Sequence, residues 1–301
     1  MISVSLGPPA GEERGEAARV SVIVPLYGRG PMSAAWLAAM QRELRDQDAE
    51  LLVVDNGPLP WLERAELDGL VRVVRCAKPG AYAARNEGAR HACGAWLVFT
   101  DADCVPQPGW LRALVGGAAP GEAEVRAGSV RVCSSSERPN PWECYDVVRG
   151  IPQERYVKRG YAVTANLAMP AVVLRALGGF DEQRFSGGDA ELCRQAVASG
   201  YRLTYVPEAV VEHAARNTWG ALVTKARRLK GGQLKAGPAH RRALWWVRTF
   251  LPPVLEWRRF LVRRDRPYRE RLLASLVQAR LWGVEMVEAL RLLFGGVPER
   301  H

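Results

Sequence analysis

The pattern of apolar and polar positions alternates short strand-like runs with helix-like stretches. Apolar, β-branched runs end at turn-forming residues in the first part of the chain and predict strands at 20–26, 50–54, 71–74 and 95–100. Amphipathic or alanine-rich stretches between them predict helices at 33–45, between 58 and 71, and at 81–92. Strands that alternate with helices indicate an α/β fold with a mostly parallel sheet flanked by helices.

The pattern is less regular from residue 127 onward. It predicts strands at 128–132, 164–169 and 201–206 and helices at 171–177 and 190–198. The polar, aromatic connection 139–159 is predicted to form loops over a site. Beyond Trp219 the chain is predicted to be helical, with breaks at Gly231-Gly232, Gly237-Pro238, Pro252-Pro253 and Pro267.

The chain has 301 residues, which is enough for one large domain with an appendage. The changes in pattern predict a flexible N-terminal segment, 1–18, and a sheet-containing domain, 19–218, with halves 19–125 and 126–218. A basic, amphipathic helical region, 219–301, follows. Apolar content of 48% and charged content of 25% are those of an ordinary globular protein.

The net charge of +10 is concentrated near the C-terminus. Residues 225–271 carry an excess of twelve positive charges, so the rest of the chain is slightly acidic. Tryptophans and arginines alternate with aliphatic residues there, and helices of this composition bind anionic membrane surfaces. A helical cap on the main domain is the competing interpretation. We expect no nucleic-acid partner, because no recognition fold is apparent.

Cysteine usage and hydropathy bear on the compartment. The six cysteines are scattered without a Cys-x-x-Cys pair, which favours a reducing cytoplasm. No run approaches about 18 uninterrupted apolar residues, and residues 1–18 lack the apolar centre of a signal peptide. We therefore expect a cytoplasmic protein, peripheral on the inner face of the membrane if region 225–271 binds lipid.

Asp101-Ala102-Asp103 is the most informative motif. The two carboxylates follow the apolar run 95–100, and ligands bind at the carboxyl ends of strands in open α/β sheets. Mg²⁺ or Mn²⁺ bound there would keep positions open for a diphosphate. Polar groups at other strand ends could hold a nucleotide, namely Pro25, Tyr27, Asp55 and Arg85. Taken singly, each of them also fits a turn, packing or solvated residue.

Five sequence blocks in a fixed order resemble the inverting family 2 glycosyltransferases of GT-A (Rossmann-like) fold. The resemblance covers residues 20 to about 213. The blocks are VSVIVPLYG, LLVVDNGP, KPGAYAARNEGARHACGAWLVFTDADC, TANLAMPAVVLRALGGFDE and GGDAELCRQAVASGYRLTYVPEAVVEH. It implies that 19–218 is a catalytic domain, with a nucleotide-sugar-binding half, 19–125, and an acceptor-side half, 126–218.

The resemblance also implies roles on the donor side of the site. Base contacts carry over to Pro25, Tyr27 and Asp55, and nucleotide contacts to Arg85 and Asn86. By the same resemblance, Asp101 lies near the ribose or the metal, Asp103 is the direct ligand of Mn²⁺ or Mg²⁺, and His213 completes the metal sphere or touches the diphosphate. A lone histidine more often has a structural role, so both interpretations of His213 stay open.

On the acceptor side, the resemblance makes Asp189 the general base. Thr164 and Asn166 match the block that lines the sugar and acceptor side, and Glu191 belongs to the acidic block of Asp189. Asp189 also suits a helix N-cap. Gly188 stands where the family usually has Glu, and Gln195 where Arg is common, which puts the identity of the acceptor in doubt.

These implications combine into one expected reaction. A metal-dependent inverting transferase would move a sugar from a nucleotide-diphosphate sugar, with a UDP-sugar favoured, to an acceptor hydroxyl on a lipid-linked molecule or a polysaccharide. A catalytically degenerate nucleotide-sugar-binding protein is the main alternative. A nucleotidyltransferase is weaker, because the first loop lacks an extended glycine-rich phosphate cradle followed by a lysine.

Overall fold

A computed structural model describes residues 20–27, 33–45, 47–57, 71–117, 124–184 and 186–299. Three of the sequence predictions lie outside these ranges: the flexible segment 1–18, the loop after the first strand, and the helix between 58 and 71. The described ranges contain every candidate site residue.

One eight-stranded sheet forms the centre of the described fold. Its strands are β1 (Val20–Leu26), β2 (Ala49–Asp55), β3 (Val71–Arg75), β4 (Trp96–Thr100), β5 (Cys104–Pro106), β6 (Glu124–Cys133), β7 (Asn166–Pro170) and β8 (Arg202–Ala214). They lie in the order β3-β2-β1-β4-β7-β6-β8-β5. The first four are parallel, and β7 is antiparallel to both of its neighbours. The strands β6 and β8 are again parallel, and the predicted α/β class is confirmed.

Helices cover the sheet in its first part and dominate the C-terminal part. They are α1 (Ala34–Arg45), α2 (Ala81–His91), α3 (Trp110–Val115), α4 (Pro141–Arg149), α5 (Gln153–Val157), α6 (Ala171–Ala176), α7 (Gly188–Ala198), α8 (Trp219–Lys235), α9 (Ala239–Phe250), α10 (Val254–Leu261) and α11 (Tyr268–Leu293). None of the described helices combines the length and apolar content needed to cross a bilayer.

Two local predictions were wrong. The connection 139–159 contains α4 and α5 where loops were expected, and Asn140 caps α4 by accepting from the Trp142 and Glu143 N–H groups. The predicted break at Gly231-Gly232 is absent, since α8 continues through both residues. A Cβ at position 231 would lie 2.7 Å from Pro298 Cβ, so the glycine there serves close packing within a continuous helix.

Apolar side chains are buried on both faces of the sheet. Val22, Val24 and Val98 contribute to the cluster on one face, and Ile23, Leu52 and Phe99 to the cluster on the other. Because successive side chains of a strand point to opposite faces, such strands read as continuous apolar runs when both faces are covered. The sheet edge at the strand ends is thereby left to carry polar groups.

The C-terminal helices pack on α4 through a separate apolar cluster and a buried ion cluster. Tyr145 and Phe260 belong to the apolar cluster. Beside it, Asp146 is buried and accepts hydrogen bonds from Lys225 Nζ at 3.0 Å and from Arg216 Nη1 at 3.0 Å. Burial alone would raise the pKa of the Asp146 carboxyl, but the two cations outweigh it and hold the pKa well below its usual range.

We expect Asp146→Asn to lower the free energy of unfolding by about 3–5 kcal/mol, because Lys225 and Arg216 would lose their buried counter-charge. Urea denaturation would measure the loss. The wild-type contribution should be fully present above about pH 4, the pKa of an unfolded Asp carboxyl, and should be lost progressively as the pH falls from there toward the lowered pKa of folded Asp146. Asp265→Asn, at the exposed pair with Arg263, is the control and should cost at most about 1 kcal/mol. Equal losses in the two variants would contradict this role of Asp146.

Candidate active site

The carboxyl ends of β1 and β2 bring three predicted nucleotide contacts together. Asp55 ends β2, is buried, and lies 3.0 Å from Arg75 Nη1 through its Oδ2. Pro25 and Tyr27 come from the end of β1, which pairs in register with the end of β2. Tyr27 is half exposed at 51%. This edge therefore presents a fixed carboxylate close to an accessible aromatic side chain.

The motif after β4 divides its two carboxylates between different partners. Asp101 Oδ1 lies 2.6 Å from Nη2 of Arg85, which is buried on α2. Gly88 lets this helix lie close to the sheet, since a Cβ there would be 2.5 Å from a methyl group of Ile23. Among the described residues, the buried Nε of Arg85 has no hydrogen-bond partner. Arg85 therefore keeps donor capacity for an anionic ligand.

Asp103, the second carboxylate, lies beside His213. Asp103 Oδ2 is 3.3 Å from His213 Nε2, and Cys104 completes a group whose candidate donor atoms all lie within 4.8 Å of one another. The other ring nitrogen of His213, Nδ1, donates to the Ala214 carbonyl at 2.7 Å. That hydrogen bond leaves Nε2 available for a metal ion or for a proton shared with Asp103.

The donor set suits a hard or intermediate divalent ion. Carboxylate oxygen and imidazole nitrogen are both ligands that Mn²⁺ accepts. Burial raises the pKa of the Cys104 thiol well above its usual value, and Mn²⁺ prefers oxygen and nitrogen ligands to sulfur. Asp103 and His213 would therefore hold the metal, while Asp101 lies outside this group and with Arg85.

Asp189 lies in the first turn of α7. The N-cap of that helix is Gly187, so the N-cap interpretation of Asp189 was wrong. The Asp189 carboxylate accepts from the Thr164 N–H and from the Tyr82 hydroxyl, both at 3.4 Å. Removal from water raises the pKa of Asp189, and the Ala190 N–H and the positive charge of Arg85 offset only part of this effect. A carboxylate with a raised pKa is a better proton acceptor.

Tyr82 is a site residue that the sequence analysis missed. Its hydroxyl accepts from the Gly188 N–H at 2.9 Å, and its ring lies 5.8 Å from the Arg85 guanidinium carbon. Burial raises the pKa of Tyr82, so the hydroxyl stays a donor to Asp189. A Cβ at Gly188 would lie 2.8 Å from the Tyr82 ring, so the ring occupies the space beside that glycine. The three-residue spacing of Tyr82 and Arg85 on α2 was the only available signal.

Two predicted site residues use their side chains to hold the scaffold. Asn86 makes reciprocal hydrogen bonds with the Phe180 backbone, with Oδ1 accepting from N–H and Nδ2 donating to the carbonyl, both at 2.9 Å. Asn166 is fully buried, accepts from Trp110 Nε1 at 2.9 Å, and donates to the carbonyls of Ser129 and Ala209. Their direct contact with a ligand remains a prediction.

Thr164 and Glu191 are the other two residues that were predicted for the acceptor side. Thr164 is buried and reaches Asp189 through its backbone N–H, as described above. Glu191 is on the same helix as Asp189 and lies 3.6 Å from Arg184 Nη2. Of the predicted acceptor-side residues, Thr164 contacts the predicted base, while the side chain of Glu191 pairs with Arg184.

Sequence comparison places the chain among glycosyltransferases. The family model "Glycosyl transferase family 2" matches residues 21–175. Glycosyltransferase AglE of Haloferax volcanii is 30% identical over 249 residues, which cover 77% of this chain and 81% of AglE. The pre-mycofactocin glycosyltransferase of Mycobacterium tuberculosis is 28% identical over 221 residues, covering 69% of this chain and 45% of that protein.

Solved structures with the same fold include two glycosyltransferase complexes. The mannosyltransferase PcManGT from Pyrobaculum calidifontis, in complex with GDP-Man and Mn²⁺, superposes with a TM-score of 0.57 at 19% identity, covering 92% of this chain and 87% of PcManGT. GalNAc-T7 with UDP, GalNAc and Mn²⁺ gives a TM-score of 0.51 at 16% identity, covering 93% of this chain and 58% of that protein. The predicted GT-A architecture is confirmed. From its family match, its relatives and its fold, this chain belongs to the family 2 glycosyltransferases.

Proposed function

We propose that this transferase acts by inversion, with Asp189 as the general base and Asp103 with His213 as the holders of a divalent metal. One observation carries the proposal. The buried Arg85 pairs with Asp101 of the metal-side motif, and its guanidinium carbon lies 5.8 Å from the ring of Tyr82, whose hydroxyl donates to Asp189. The predicted metal side and the predicted base are thus linked through one arginine. A reaction that needs charge control at a leaving phosphate and proton removal at an acceptor uses such a pair of functions.

Each residue has a separate role in the proposed transfer. Asp189 takes the proton of the acceptor hydroxyl, while Tyr82 and Thr164 fix the orientation of its carboxylate by donating to it. Arg85 orients Asp101 and directs positive charge toward the donor phosphates. When bound at Asp103 and His213, Mn²⁺ or Mg²⁺ supplies charge neutralisation for the diphosphate that departs.

The donor in this proposal is a nucleotide-diphosphate sugar, with a UDP-sugar as first candidate. Asp55 suits the N–H donor of a uracil or a guanine base, so this residue alone does not select between them. The two structural neighbours were solved with GDP-Man and with UDP, both in the presence of Mn²⁺. A screen must therefore include both nucleotides.

A UDP-sugar or a GDP-sugar should raise Tm only when Mn²⁺ is present with it. A ligand at about 100 times its Kd adds about 2.7 kcal/mol to the stability of the folded state, which corresponds to a shift of several degrees. Differential scanning fluorimetry of the full chain measures this shift. Nucleoside monophosphates serve as controls that lack the diphosphate. Absence of a shift with every nucleotide sugar tested would argue against the donor assignment.

The acceptor in this proposal is a hydroxyl on a lipid-linked molecule or a polysaccharide, and the protein binds an anionic membrane surface. Support comes from α9, α10 and their connection, which expose apolar side chains beside arginines. The exposed apolar residues are Leu244, Val247, Phe250, Leu251, Val254 and Leu255. Apolar side chains at headgroup depth and cations against anionic lipid are the two contributions that hold an interfacial helix.

A further inference from the structure

A cavity of about 900 Å³ lies where β6, α4 and α5 meet the C-terminal helices. Its volume is that of a site for a sizeable organic ligand. None of the predicted catalytic or metal-binding residues lines it. The cavity is therefore distinct from the candidate active site.

The lining is strongly cationic. Eight of the lining residues are arginine or lysine and three are glutamate, and Glu212 and Asp265 outside the lining pair with three of the eight cations. Within the described parts of the chain, Arg155 and Arg248 form no ion pair with a carboxylate, and each guanidinium instead lies near an aromatic ring, of Tyr156 and Trp245 respectively. Uncompensated guanidinium groups that converge on one cavity favour an anion with several acceptor oxygens.

Unsatisfied polar atoms point to a missing partner at the same place. Gln233 Oε1, Arg155 Nε and Arg266 Nε are buried and have no hydrogen-bond partner among the described residues. All three residues line the cavity. Because buried polar atoms are nearly always hydrogen-bonded, three exceptions around one cavity indicate a polar ligand or water between them.

The opening of the cavity is apolar. Leu251, Val254 and Leu255 line it and yet are more than half exposed, so they lie at its rim. They belong to the same exposed surface of α9 and α10 that carries arginines. A ligand that satisfies both ends of this site would place an anionic group among the guanidinium groups and an apolar chain against the rim.

We propose that this cavity binds the phosphate or diphosphate group of an anionic amphiphile. The ligand class follows from the positive charge inside, from the Nε donors of Arg155 and Arg266 that have no hydrogen-bond partner in the described part of the chain, and from the apolar rim outside. Gln153 connects the cavity with the active site, since it lines the cavity and donates to the carbonyls of Val163 and Asn166, which flank the segment whose N–H binds Asp189. An amphiphile bound here would thus lie next to the acceptor side of the site.

The test uses farnesyl diphosphate as a soluble amphiphilic diphosphate, with inorganic pyrophosphate and farnesol as the two partial ligands. Isothermal titration calorimetry in EDTA, without donor, removes metal-dependent binding of diphosphate at Asp103. We expect farnesyl diphosphate to bind at least about tenfold more tightly than either partial ligand. Arg155→Gln and Arg248→Gln should each weaken it by about tenfold, the loss expected for one charge-assisted hydrogen bond.

Arg241→Gln is the matched control, because Arg241 is exposed on the same helix as Arg248 and does not line the cavity. Circular dichroism and Tm establish that each variant is folded. Equal affinities for pyrophosphate and farnesyl diphosphate would contradict recognition of an apolar chain. Equal affinities for farnesol and farnesyl diphosphate would contradict recognition of an anionic group. Equal losses in all three variants, or none in any, would overturn the location. Each outcome is independent of transfer, so it leaves the proposed function to its own test.

Discussion

Asp189→Asn should lower the rate of sugar transfer by between about a hundredfold and ten-thousandfold and leave donor affinity unchanged. The amide is close in shape to the carboxylate, and its one oxygen can replace either Oδ1, which accepts from the Tyr82 hydroxyl and the Ala190 N–H, or Oδ2, which accepts from the Thr164 N–H. It does not accept the proton of an attacking hydroxyl at neutral pH, so only the chemical step is lost. The measurement compares kcat with the Kd of the nucleotide sugar obtained from the Mn²⁺-dependent thermal shift.

Tyr82→Phe is a milder substitution that acts on the same carboxylate. It keeps the ring beside Gly188 but removes the hydroxyl that donates to Asp189. The pKa of Asp189 should rise further, because one hydrogen bond to the charged carboxylate is lost. Activity falls as the pH drops through the pKa of a general base, so the acidic limb of the kcat profile should move to higher pH in this variant.

Two results would contradict the role of Asp189. Full activity in Asp189→Asn would exclude this carboxylate as the base. Absence of transfer in the wild-type protein, with donor binding intact, would favour the degenerate binding protein suggested by Gly188 and Gln195. If Asp189→Asn and Tyr82→Phe reduce transfer equally, and neither a higher pH nor more donor restores it, the substitutions act on the structure. Circular dichroism would reveal such a change.

The sequence was sufficient to predict the strands that are buried on both faces of the sheet. Every described strand from β1 to β4 was predicted, because both sheet faces are covered and each strand is a continuous apolar run. Asp101 and Asp103 were predicted as site residues because two carboxylates at a strand end are visible as a motif, and Asp189 was predicted as the base from the family resemblance. The resemblance had already predicted different roles for the two carboxylates, and the structure adds that Arg85 lies beside Asp101 and His213 beside Asp103.

Long-range contacts decide what the sequence did not predict. Tyr82 and Asp189 are 107 positions apart, and nothing in either segment indicates that one donates to the other. Asn166 was expected to face the acceptor, yet its side chain is used to join β7, β6 and β8 with α3. The capping box of Asn140 and Glu143 was a local signal for α4 that aromatic and polar composition obscured. For Tyr82 and Asn166, hydrogen bonds to residues far away in the sequence, which satisfy buried polar groups, decide the role of the side chain.

Asp103→Asn should abolish measurable Mn²⁺ binding and reduce transfer on the order of a thousandfold. Asp103 is the carboxylate beside His213 Nε2, and a neutral amide oxygen is a much weaker ligand for a divalent cation. Loss of metal-assisted charge neutralisation is worth several kcal/mol of barrier, which corresponds to a rate loss of that size. Electron paramagnetic resonance of free Mn²⁺ measures the binding, and initial rates measure the transfer.

Asp101→Asn is the informative comparison, because the two carboxylates of one motif face different partners. Its loss breaks the ion pair with Arg85, so donor affinity should fall while Mn²⁺ still binds at Asp103 and His213. His213→Gln should weaken Mn²⁺ without affecting the Arg85 pair. If Asp101→Asn removes Mn²⁺ binding as completely as Asp103→Asn, both carboxylates are ligands and the division inferred from Arg85 is wrong. If neither variant changes Mn²⁺ affinity, this sheet edge does not hold the metal. The proposed mechanism then has no cation at this place to neutralise the departing diphosphate.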